Sequence, residues 1–78
     1  MKLKNVKVGQ TVQLKKSAGK HTNIDEFVEV RTLGVIFIKG KGAICVKWKK
    51  VRKSYHGDTL WWCNHKEIKL IKDVEDSQ

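Results

Sequence analysis

The segment Lys47-Trp48-Lys49-Lys50-Val51-Arg52-Lys53-Ser54-Tyr55-His56 interleaves cationic side chains with aromatic rings and contains no acid. Cations in such a run neutralise phosphates and release counterions, which gives affinity independent of base sequence. Rings beside them can stack on unpaired bases, at about 1–3 kcal/mol each. Just upstream, Lys39-Gly40-Lys41-Gly42 puts two more lysines on a turn whose glycines let a backbone approach a phosphate. The chemistry these residues suit is electrostatic capture of a polyanion, not the making of bonds. The structural alternative is that Trp48 is core, the lysines are a solvated hairpin and Lys-Gly-Lys-Gly is only a turn.

Catalytic and metal-binding constellations are lacking. Cys63 and His65 are two apart, Cys45, His21 and His56 are scattered, and no CxxC or HxxxH pair occurs. Zinc sites need such paired ligands, so no metal is expected. His65 with Glu67 and His56 with Asp58 are the acid–base-looking pairs, each two apart on a loop or turn, where a solvated pair is the usual meaning. No phosphate-loop motif or nucleophile with a base is present. The reading is a non-enzyme without a cofactor.

Charge sharpens the polyanion reading. Lys and Arg number 17 against 8 Asp and Glu, for a net charge of +9 and a pI near 9.8. A pI above ~9 in one compact domain is the footprint of a phosphate-binding surface. The charges are also segregated. Residues 1–24 and 30–57 carry no acid, whereas Asp25, Glu26 and Glu29 form one acidic cluster and the stretch from Asp58 onward another. Segregation makes a field with direction, which scattered solubilising charge does not.

The elements that must position these residues are strands. With 78 residues the chain makes one domain, read as residues 1–72 with an acidic tail over 73–78. Proline is absent and β-branched residues alternate with polar ones. Val6 to Lys15 alternates apolar and polar, with Gly9 marking a bend. Lys16 to Asn23 is a small, polar loop. Phe27 to Ile38 is the strongest β segment, and Gly34 inside it suggests a bulge or sharp bend. Ala43 to Lys49 sets Ile44, Val46 and Trp48 on one face and Cys45, Lys47 and Lys49 on the other. Lys50 to Asp58 is a basic loop, Leu60 to Cys63 a short strand, Asn64 to Glu67 a helical turn, and Ile68 to Ile71 a last strand. The apolar runs fall far short of the ~20 residues of a membrane span, and the N-terminus is not a signal peptide. Cys45 and Cys63 read as buried thiols of a cytoplasmic protein, a bridge between neighbouring strands being the alternative.

The pattern Val8-Gly9, Val12, Leu14, then Gly34, Ile36, then Val46, Trp48, then Trp61, Trp62, Ile68, Leu70 and Ile71 resembles SH3-like barrels of the KOW and Tudor-like type. The resemblance covers about residues 6–72 and rests on strand pattern. The segment Lys15 to Asp25 is longer than the compact KOW spacing allows. It implies an all-β, five-stranded SH3-like barrel with a long loop after the first strand and a short helical turn before the last. Neighbours on a strand face opposite sides, so Trp61 and Trp62 must split. By the barrel resemblance Trp61 and Cys63 are core, and Trp62 is partly exposed as a stacking platform or a protein-interaction anchor. A Tudor-like cage of Trp48, Tyr55 and Trp62 for a methylated cation is disfavoured by the net charge.

These observations predict a non-enzymatic domain that binds nucleic acid, DNA or RNA, with little sequence preference. Lys39, Lys41, Lys47, Lys49, Lys50, Arg52 and Lys53 would supply charge, and Tyr55 and Trp62 would pack on sugar or base. The domain is expected to be a monomer or a weak dimer, and the alternative function is a protein-interaction module. It would dock on an acidic partner such as a transcription or translation factor or a nucleic-acid enzyme, in the manner of small phage proteins that modulate a host.

Overall fold

A computed structural model describes residues 2–54 and 57–71. Tyr55 and the acidic tail over 73–78 lie outside the described residues. Five antiparallel strands form one sheet: β1 (Thr11–Leu14), β2 (Leu33–Lys39), β3 (Ala43–Trp48), β4 (Leu60–Asn64) and β5 (Ile68–Leu70), in the order β4-β3-β2-β1-β5. Among the described residues there is no helix beyond short 3-10 turns, and none long and apolar enough to cross a membrane.

Alternation dictates which side each residue takes. Val12 and Leu14 of β1, Ile36 of β2, Ile44, Val46 and Trp48 of β3, Cys63 of β4 and Ile68 of β5 turn to one side and form the core. Ile24, Val28 and Val6 close it from the loops. The expected division of β3 into two faces holds.

The first two strands are shorter than their β-rich sequence suggests. Val6 is buried from the segment before β1, which begins only at Thr11. Phe27 to Thr32 is not a strand. Ile24, Phe27 and Val28 are spaced as on one side of a helical turn, and Ile24–Glu26 makes a 3-10 turn, after which the Phe27 and Val28 amides donate back to the Ile24 carbonyl. Arg31 then takes φ 72°, and its amide donates to the Leu14 carbonyl, swinging the chain into β2. Burial of Ile24 and Val28 from above the sheet outweighs the β propensity of the run.

Gly34 does not mark the bulge. The register shifts between Ile36 and Ile38, so Phe37 is the extra residue and Phe37 and Ile38 together face Cys45. Gly34 is needed for a close approach: a Cβ there would come within 2.5 Å of Val46 Cγ1 and 2.9 Å of Trp48 Cε3. The missing side chain makes room for the Trp48 ring, which is 1% exposed.

The sheet is not closed into a barrel. Among the described residues β4 pairs only with β3 and β5 only with β1. The link between them is the 3-10 turn His65–Glu67, which carries the chain from one edge of the sheet to the other. Among the described residues no ladder spans that seam, and Glu67 ties it instead. Its carboxylate, 2% exposed, accepts from the Asn64 amide (2.9 Å), the Thr22 hydroxyl (2.7 Å) and the Gly19 amide (2.8 Å). Asn64 Oδ1 accepts in turn from the Lys66 amide, completing a capping box. Glu67 is therefore a buried anchor for the long loop, not the solvated partner of His65 that its sequence position suggests.

Candidate nucleic-acid interface

The side of the sheet turned away from the core is built from the alternate residues of each strand. Lys47 lies between Val35 of β2 and Leu60 of β4, and Thr11 of β1 continues that row beyond Val35. The next row holds Ile38, Cys45 and Trp62. Cys45 is covered, while Phe37 and Trp62 stand 51% and 49% exposed and Val35 and Ile38 are exposed beside them. Trp62 therefore takes the outer position expected of it. Its ring reaches the β2–β3 turn, for a Cβ on Gly40 would lie 3.4 Å from Trp62 Cζ3 and 2.8 Å from the Ala43 carbonyl. The glycine at 40 is thus required by the turn and the tryptophan, before any ligand is considered.

Trp61 points the other way. Its ring stacks on Phe27 at 4.2 Å between centroids, and its Nε1–H donates to the Lys53 carbonyl at 3.0 Å. Lys53 Nζ lies over the opposite partner of that stack, 5.5 Å from the Phe27 centroid. The Arg52 amide donates to the Phe27 carbonyl. The basic arm proposed from sequence therefore divides across β4. Lys47 and, by alternation, Lys49 share the outer side with Trp62, and Lys39 and Lys41 flank the turn that Trp62 touches. Lys53, with Arg52 next to it, accompanies Trp61 and Phe27. Lys39, Lys41, Lys47, Lys49, Lys50, Arg52 and Lys53 are all exposed.

No residue of any strand is acidic, whereas Lys39, Lys47 and Lys69 are strand residues. A phosphate backbone laid on the outer side meets cations and aromatic or aliphatic surface, and no like charge from the sheet repels it. Trp48, by contrast, is core and Trp62 is outside, so the two cannot line one aromatic cage. The Trp48 Nε1–H has no acceptor among the described residues.

The chemistry of the thiols is suppressed. Cys45 and Cys63 are free and buried. They sit on opposite sides of the sheet, because Cys45 pairs with Trp62 and Cys63 with the core residue Ile44. Burial raises the Cys45 pKa. Burial, the neighbouring Glu67 charge and Cys45 together push that of Cys63 up to about 12. A nucleophilic cysteine needs the reverse shift. Among the described residues no group of His, Cys, Asp and Glu is placed to hold a metal ion.

Sequence reasoning passed over two features. One is the outer apolar pair Phe37 and Ile38: alternation from buried Ile36 carries Phe37 outward, but an apolar run does not reveal the bulge that turns Ile38 to the same side. The other is a cleft of about 280 Å³ lined by Gln13, Leu14, Lys15, Lys16, Arg31 and Lys69, whose lining comes from three separated segments. Comparison of the chain with protein-family models, with curated proteins and with solved structures finds no match.

Proposed function

We propose that this chain is a non-enzymatic nucleic-acid-binding domain of the SH3-like kind, which holds a strand on the outer side of its sheet with little sequence preference. The strand order β5-β1-β2-β3-β4, the long loop after β1 and the 3-10 turn before β5 support the SH3-like assignment. The observation that carries the function is an acid-free sheet in which exposed Trp62 and Phe37 stand around Lys47. Lys47, Lys49, Lys39 and Lys41 neutralise phosphates, and the two rings stack on bases or pack on sugars. Lys50, Arg52 and Lys53 extend the positive field along the adjoining loop, and Tyr55 would pack on sugar or base.

The test is binding to labelled single-stranded and duplex oligonucleotides across a salt series. A log–log slope of several units is expected, with affinity falling when Trp62 is replaced by alanine. No binding, or a slope near zero, sinks the proposal.

The exposed aliphatic residues Val35 and Ile38 favour a second reading, because phosphates make no use of them. In that reading the same side docks on an acidic protein. A pull-down after nuclease digestion separates the two: partners that survive digestion favour the protein, and their loss favours nucleic acid.

A further inference from the structure

The cleft between β1, β5 and the turn before β2 is lined by four cations, Lys15, Lys16, Arg31 and Lys69, together with Gln13 and Leu14 and no acid. None of the four has an ion-pair partner among the described residues. Four like charges around a depression repel one another, so its ligand-free form is electrostatically unfavourable and an anion relieves it. At about 280 Å³ the cleft is just under the ~300–1,000 Å³ of small-molecule pockets, which suits one compact charged group.

The backbone holds this arrangement at a cost. Arg31 is the only non-glycine among the described residues with positive φ, at 72°. Both of its backbone polar groups are pinned to β1. Its amide donates to the Leu14 carbonyl at 2.8 Å, and its carbonyl accepts from Gln13 Nε2 at 2.9 Å. The Gln13 amide is thereby oriented by the turn that carries the arginine. Lys69 is the cross-strand partner of Gln13, and the Lys15 amide is fixed to the Glu67 carbonyl at 2.8 Å. A glycine at 31 would adopt this conformation without strain, yet the chain places there the side chain best shaped to grip an oxyanion with two parallel hydrogen bonds.

We propose that this cleft is a phosphate-binding site, with Arg31 as its fork and Lys15, Lys16 and Lys69 as its surrounding charge. That its phosphate belongs to a nucleic-acid strand rests on the function proposed above. Leu33 of β2 is paired with Gln13, and the Lys49 amide donates to the Leu33 carbonyl, so one row of the outer side runs from Lys69 through Gln13 and Leu33 to Lys49. Three strand spacings, roughly 15 Å, separate its ends. A strand of a few nucleotides covers that distance, so the cleft would clamp one end of a chain whose bases reach toward Trp62.

The experiment follows backbone and Gln side-chain amides of the full chain by NMR. Inorganic phosphate is titrated against chloride at matched ionic strength, and oligonucleotide affinity is measured for wild type, Arg31→Gly, Lys69→Gln and Trp62→Ala. Phosphate-specific shifts at Gln13, Lys15, Lys16, Arg31 and Lys69 are expected. Arg31→Gly should weaken oligonucleotide binding about tenfold or more while leaving the fold at least as stable, since it removes the guanidinium and the strain together. Absence of phosphate-specific shifts overturns the site, even if the variants bind oligonucleotide less well, because losing any cation weakens long-range attraction. In that event a loss of affinity in Trp62→Ala still upholds the function proposed above. Phosphate shifts without any oligonucleotide binding give the reverse result: the cleft stands as a site for free phosphate and the nucleic-acid function falls.

Discussion

Glu67 keeps its charge beneath the surface with hydrogen-bond donors alone. Burial pushes its carboxyl pKa upward, but the Thr22 hydroxyl and the amides of Asn64, Gly19 and Thr22 outweigh burial and leave it below the usual value. A lowered folded-state pKa stabilises the fold at pH above the unfolded carboxylate pKa, and that contribution is lost as pH falls through the folded value. Urea unfolding should therefore show wild type losing stability below about pH 4.5, the ordinary value for Glu. Glu67→Gln should be less stable at neutral pH by roughly 2–4 kcal/mol and nearly flat across the acid range. An equally steep acid loss in the glutamine variant would place the titrating anchor elsewhere. The thiols give a second prediction at this scale. With both pKa values raised, Cys45 and Cys63 should resist a maleimide at pH 8 in the folded protein and react fully once unfolded; rapid labelling of native protein counts against the burial described.

At the scale of elements, β4 offers the sharpest contrast. Trp61→Ala removes the Phe27 stack and the bond to Lys53, and should cost about 2–3 kcal/mol. Trp62→Ala, one residue on, should cost about 1 kcal/mol or less, so thermal melts of the pair should separate clearly. In β2, Gly34→Ala drives a methyl into Val46 and Trp48 and should lower stability by about 1–3 kcal/mol, measurable in the same melts. Alternation made β3 readable from sequence and split the tryptophans of β4, while the resemblance to SH3-like barrels implied which of the two turns outward. Alternation misled at Phe27 to Thr32, where apolar residues at i, i+3 and i+4 coexist with β-branched ones and only packing over the sheet decides between them. The bulge at Phe37 was equally hidden, because an unbroken apolar run looks the same with or without an extra residue. Asn64 to Glu67 showed a helical turn, but two partners of the Glu67 carboxylate, Gly19 and Thr22, lie more than forty residues upstream.

For the whole molecule the governing quantity is where the surplus of positive charge lies. The candidate residues of the outer side were legible as a charged run, but their division across β4 was not, since it depends on the segment after β3 reaching Phe27, whose carbonyl accepts from the Arg52 amide. The cleft of Lys15, Lys16, Arg31 and Lys69 was illegible for a related reason: its cations stand in three separated parts of the sequence until β1 pairs with β5 and the Arg31 amide bonds to Leu14. If Lys47 and Lys49 contact phosphates, neutralising both to glutamine should reduce the salt slope of oligonucleotide binding by about 2, whereas Lys53→Gln should change it little. Equal effects from all three would mean that the field, and not the outer side of the sheet, guides the ligand.

The division of the three tryptophans has an optical consequence. Trp48 is sealed in the core, Trp61 lies against Phe27, and Trp62 alone stands half in solvent. A collisional quencher such as iodide should reach one indole in three, and a ligand on the outer side should shield that same ring. Intrinsic emission therefore carries two separable signals, a quenchable fraction that reports occupancy and an unquenchable one that reports folding. Trp62→Phe would silence the first and leave the second intact.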